Sequence, residues 1–152
     1  MRSGSAAGPT RLDLDVQGSV AFLRLDRSGG PNLLDSAVLA ALPGVLDELE
    51  GNAELEGVVL ISHNERGFLA GADVRIFGEL EDSGAAIELL EHSQALIERF
   101  ASLPLTKIAA IDGPCAGGGT ELALACDRRL VTGRPGTSLS LPEVQLGLIP
   151  AL

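Results

Sequence analysis

Residues 111–127 read "IDGPCAGGGTELALACD". A strand-like apolar run stops at a proline, three consecutive glycines follow, and a helical pattern then restarts with one carboxylate, Glu121. Glycine loses more conformational freedom on folding than any other residue, so a triplet is costly unless the backbone must turn sharply or be approached closely. Two explanations fit: a flexible turn, or a loop whose N–H groups face a ligand. In either case strand, glycine loop and helix in succession form a unit of an α/β fold.

The flanking segments extend that unit. "LTKIAAI" (105–111) and "GVVLIS" (57–62) are short, continuously apolar runs that predict strands buried on both faces, and "RRLVTG" (128–133) predicts another strand. Further upstream, "LDLDV" (12–16) and "SVAFLRLD" (19–26) alternate around a Gln17-Gly18 turn, which predicts a β-hairpin with one buried face. Asp35 can cap a helix over 36–51, where Leu39, Leu42, Leu46 and Leu49 recur at helical spacing. Pro43 and Gly44 predict a kink or interruption in it. A second helical stretch, from 80 onward, carries Ile87, Leu90, Ile97 and Phe100 near one face and stops before Pro104. The glycine-loop helix is expected over about 118–126. Strands alternating with helices predict one α/β domain over residues 11–152 with a largely parallel sheet, after a short disordered tail over 1–10.

Composition narrows the class of function. In a chain of 152 residues, 45% are hydrophobic and 21% charged, as in a globular domain with a sizeable core. Aromatics are only 3%, so aliphatic side chains must build that core. The net charge of −10 offers no basic stripe for nucleic acid and no attraction to an anionic membrane. No apolar run approaches the roughly 18 residues of a membrane span. The start has no secretory pattern, and two cysteines do not make a disulfide framework, so cytoplasm is the expected location. Cys115 and Cys126 read as small buried fillers. His63 and His92 stand alone as surface residues, and no metal-ligand cluster is present in the sequence.

Three stretches fall at the carboxyl ends of predicted strands or just beyond, where open α/β sheets bind ligands. They are "GFLAGADVRIF" (67–77), "AAIDGPCAGGGTELALACD" (109–127) and "LPEVQLGLIP" (141–150). Each is weak alone, and none matches a nucleotide-binding glycine loop or a nucleophile elbow. Together, in order and spacing, they resemble the crotonase superfamily of enoyl-CoA hydratases and isomerases. Within it they are similar to the hydratase module of the multifunctional fatty-acid oxidation α subunits, and the likeness runs from about Leu12 to Pro150.

The resemblance implies a crotonase-like (ClpP/crotonase) α/β fold with a β-β-α superhelix core, lacking its C-terminal part. It also implies a site. The backbone N–H groups of Ala72 and Gly118 would bind the thioester oxygen of an acyl-CoA, with a Cβ at Gly118 obstructing its approach and the dipole of the following helix adding positive potential. Ala70, Gly71 and Gly117 would shape the substrate loops. Glu121 and Glu143 would form an acid–base pair for hydrating a trans-2-enoyl thioester, with at least one carboxyl raised in pKa and the two titrating jointly. Their bland alternatives are a helix-capping carboxylate and a solvated loop carboxylate. Arg75 reads equally as a contact to the CoA phosphates or as a solvated surface arginine. Asp73 reads as a loop-fixing acceptor, and "ELEDSGAAIELLEH" (79–92) as a helix face plus an acidic loop that would line the acyl pocket.

No cofactor is implied beyond coenzyme A as part of the substrate. The family forms trimers, so a homo-oligomer is expected, or self-association through apolar surface that later family segments would cover. Three functions follow from these readings: an enoyl-CoA hydratase, an isomerase or other crotonase activity, and an inactive binding module.

Overall fold

The computed structural model of the chain describes residues 7–73, 75–78, 83–146 and 149–150. Strands β1 (Thr10–Gln17) and β2 (Val20–Arg27) form the expected antiparallel hairpin. Its two-residue turn is Gly18-Ser19, one position later than expected, because Gly18 supplies the positive φ of +61° that such a turn requires. On β2 the alternation is strict: Ala21, Leu23, Leu25 and Arg27 are buried and the residues between are not. The expected tail ends sooner than position 10. Thr10 is already in β1 and buried, and Gly8 donates to the Ser28 carbonyl at 3.1 Å. Residues 1–6 of that tail lie outside the described residues.

Helix α1 (Ser36–Gly51) is capped by Asp35, whose carboxylate accepts the Val38 N–H at 3.2 Å and also the Thr10 N–H at 2.8 Å. Val38, Leu42, Leu46 and Leu49 make its buried stripe; Leu39 lies beside it, half-buried. Neither Pro43 nor Gly44 interrupts the helix, which continues for two turns beyond them and packs Leu46 and Leu49 into the core. Tertiary burial of that stripe outweighs the lost N–H.

Strands β3 (Gly57–Ser62), β4 (Thr106–Ile111) and β6 (Arg128–Val131) continue the sheet in parallel, in the order β1-β2-β3-β4-β6. On β3 one face is fully buried (Val58, Leu60) and the other only half, so the strand is less enclosed than its unbroken apolar run predicts. A short helix α2 (Arg75–Gly78) precedes α3 (Ser83–Ala101), whose Leu96 and Phe100 enter the core while Ile87 is 55% exposed. The remainder forms the site: β5 (Pro114–Ala116), α4 (Gly118–Leu124), β7 (Ser138–Ser140) and a 3-10 turn (Pro142–Leu146). β5 and β7 pair in parallel as a separate two-stranded sheet. Cys115 and Cys126 are free and buried; burial raises both thiols, Cys126 to about 11, which suits fillers rather than nucleophiles.

Candidate active site

The segment "GFLAGAD" is held on both sides by backbone hydrogen bonds. On one side Phe68 N–H donates to the Pro114 carbonyl and Ala116 N–H to the Leu69 carbonyl, each at 2.9 Å. On the other, Ala70 N–H donates to Asn32 and Leu34 N–H to Gly71, both at 2.9 Å, and Asp73 N–H to Leu34 at 3.2 Å. The buried Asn32 amide adds a bond to the Phe68 carbonyl at 3.0 Å. This loop is therefore a fixed rail between β5 and the chain entering α1.

The rail and the glycine triplet touch backbone to backbone. Gly71 has φ +104°, and a Cβ there would come within 3.1 Å of the Ala116 carbonyl oxygen. Gly117 has φ +52°, and its Cβ would lie 2.6 Å from Glu143 Oε1. A Cβ on Gly119 would collide with the Leu69 carbonyl and lie 2.9 Å from Leu69 Cβ. Two of the three glycines thus answer to packing and backbone conformation inside the protein.

Among the described residues neither the Ala72 nor the Gly118 N–H donates a hydrogen bond; those of Gly71 and Gly119 beside them are likewise without an acceptor, whereas those of Asp73, Ala116, Gly117, Thr120 and Glu121 are committed. Ala72 and Gly118 line one cavity of about 630 Å³, together with Ala70, Gly71, Asp73, Gly117, Glu121 and Glu143. Glu121 is buried on the first turn of α4. Glu143, on the 3-10 turn, buries its Oε2 atom without a hydrogen-bond partner among the described residues. Such an oxygen is costly to leave unmet, and a polar group entering the cavity can satisfy it.

Arg75 does not line the cavity. Its guanidinium grips Asp73 through Nε to Oδ1 at 2.8 Å and Nη2 to Oδ2 at 2.6 Å. That contact holds the Asp73 carboxyl below its ordinary pKa. Asp73 also accepts the Arg75 N–H at 3.1 Å, so it ties the end of the rail to the start of α2. Away from the polar end the cavity is walled by aliphatic residues: Leu12, Leu23 and Leu25 of the hairpin, Leu42 of α1, and Leu90 and Ile97 of α3. The sequence marks the hairpin leucines and Leu42 only as core; an all-aliphatic wall carries the same pattern as an all-aliphatic core, and no sequence signal separates them. Among the described residues no group of three or more His, Cys, Asp or Glu could hold a metal ion.

The sequence profile of the enoyl-CoA hydratase/isomerase family matches residues 15–152. The chain belongs to this family. Over 152 residues it is 44% identical to the fatty acid oxidation complex subunit alpha of Aliivibrio fischeri, a match covering 99% of this chain and 22% of that protein. Solved structures of the enoyl-CoA hydratase/isomerase family superpose on it. An enoyl-CoA hydratase from Bacillus anthracis gives a TM-score of 0.80 at 30% identity, covering 92% of this chain and 54% of that one. An enoyl-CoA hydratase/carnithine racemase from Magnetospirillum magneticum gives 0.83 at 26% identity, covering 93% and 52%. The fold is the crotonase-type α/β fold, and the chain spans about a fifth of the curated relative and about half of each of these structures. Among the described residues, no helix is long and apolar enough to cross a membrane.

Proposed function

We infer that the cavity serves the hydration of a trans-2-enoyl thioester of coenzyme A. The observation that supports this best is the meeting, in one cavity, of two uncommitted backbone N–H groups with two glutamates, one of which buries an unpartnered oxygen. The Ala72 and Gly118 N–H groups receive the thioester oxygen and stabilise the negative charge it gains in the enolate; each such donor is worth about 3–4 kcal/mol of barrier. Glu121 and Glu143 hold a water against C3. One carboxylate accepts a proton as the water oxygen bonds to C3, and the pair returns a proton to C2, for net addition of one water. The aliphatic wall accepts the acyl chain.

A double-bond isomerase needs one carboxylate in place of two, so the unpartnered Glu143 oxygen favours hydration. Glu121→Gln and Glu143→Gln should each lower crotonyl-CoA hydration by at least about a hundredfold. Binding of a saturated acyl-CoA should change little, since the oxygen's donors are backbone groups. Turnover near normal in both variants would return the two glutamates to structural roles. Loss of activity in Glu121→Gln alone, with 3-enoyl-CoA turned over faster than crotonyl-CoA, would point to the isomerase.

A further inference from the structure

Between Asp127 and Leu146 no described side chain is fully buried: β6 and β7 are exposed along their whole length, and Glu143 itself is half-buried. Glu143 therefore depends on something other than side-chain packing for its place in the cavity. Segments with few buried contacts open locally at low cost unless hydrogen bonds hold them. The β4–β6 and β5–β7 pairings and the Gly113 N–H to Thr137 Oγ1 bond at 3.0 Å hold the earlier part of this segment, and nearest to Glu143 two bonds converge on Ser140, three residues before it. The Ser140 carbonyl accepts the Gly117 N–H at 3.0 Å and the Thr120 hydroxyl at 2.8 Å. Thr120 is only 6% exposed, and its hydroxyl also lies 3.1 Å from the Cys115 carbonyl, so one proton is shared between β5 and β7.

We propose that Thr120 is a positioning residue that staples the Glu143-bearing segment to the helix bearing Glu121, and so sets the spacing of the two carboxylates. Thr120 is the residue before Glu121 on α4, and Ser140 leads through Leu141 and Pro142 into Glu143. The staple thus joins a point one residue before Glu121 to a point three residues before Glu143. Gly117 completes the seat: any side chain there would enter the space of Glu143 Oε1. The inference rests on the hydratase assignment for its kinetic consequence, but the staple is a property of the fold alone.

The test compares the purified protein with Thr120→Val, which keeps the shape and removes the hydroxyl, and Thr120→Ser, which keeps the hydroxyl. Amide hydrogen exchange should quicken at Gly117 and across 138–146 in Thr120→Val, with β1–β4 unchanged, and stay near normal in Thr120→Ser. In crotonyl-CoA hydration kcat should fall roughly ten- to hundredfold in Thr120→Val, as misplacement of a reacting group by about 1 Å does. KM should move less than about twofold, and Thr120→Ser should recover most of kcat. Unchanged exchange at 138–146, or a KM defect with kcat intact, overturns the staple. An inactive parent protein overturns the hydratase assignment instead, and the exchange experiment still judges the staple. Should Thr120→Val not fold, Thr120→Ala takes its place with the same expected outcomes.

Discussion

Gly119 shows how a single missing carbon can matter to a site without touching substrate. Its Cβ would meet the Leu69 carbonyl, which is already bonded to the Ala116 N–H and belongs to a leucine fully buried in the core. Nothing there can yield cheaply, because the obstacle is the Leu69 carbonyl group and the Cβ beside it rather than the far end of a flexible side chain. Gly119→Ala should lower stability by about 1–3 kcal/mol or more, the usual cost of forcing atoms into a packed interior. Gly133→Ala makes the control, since a Cβ there meets nothing within 4 Å and φ is not positive; it should stay within about 0.5 kcal/mol of the parent. Urea midpoints of the two variants decide the matter, and equal midpoints would mean the rail can shift away from β5. The sequence shows that the triplet is special, but the reasons differ by position: conformation and the Glu143 carboxylate at Gly117, the rail at Gly119.

Helix α1 carries a local conflict that its tertiary contacts settle. Pro43 gives no N–H to the Leu39 carbonyl, and Gly44 loses more entropy than any other residue would in a helix interior. Gly44 is exposed, with open space around its Cα. Gly44→Ala should therefore stabilise the chain by about 0.5–1 kcal/mol. At the other end, Asp35→Ala removes an N-cap and orphans the buried Thr10 N–H that begins β1. It should cost about 1–3 kcal/mol. The two substitutions should move a denaturation midpoint in opposite directions. A loss of stability in Gly44→Ala would mean that the helix turn after Pro43 needs the glycine. The cap, the hairpin turn and the leucine spacing are all readable from neighbouring residues, which is why these elements match expectation to within a residue or two.

Across the whole molecule, apolar exposure is uneven. Leu124, Leu130, Val131, Val144 and Ile149 are each more than half exposed and come from α4, β6 and the segment after β7. Among the described residues β6 is also the edge of the five-stranded sheet, with one row of backbone groups unpaired by any other strand of that sheet. An exposed apolar edge strand is a template for another chain. The 152-residue protein should accordingly sediment as concentration-dependent species larger than a monomer. Leu130→Lys with Val144→Lys should raise the monomer fraction without lowering the urea midpoint. A parent chain that stays monomeric at its highest soluble concentration would show that the exposed side chains do not associate.

The sequence by itself determined the hairpin, the succession of parallel strands, the capped helix and the glycine loop, since each is written in the spacing or identity of residues a few positions apart. It also marked Glu121 and Glu143 as candidates through motif likeness. Only the tertiary structure decided how those candidates meet. Glu143 reaches the cavity because "SLS" (138–140), too short and too polar to read as a strand, pairs with "PCA" (114–116). Arg75 turns to Asp73 rather than to the cavity, and the hairpin leucines serve as cavity wall as well as core. The physical reason is the same in each case. Side-chain periodicity records which face of an element is buried, whereas the choice of partner for a backbone N–H or a carboxylate is settled between segments far apart in the chain.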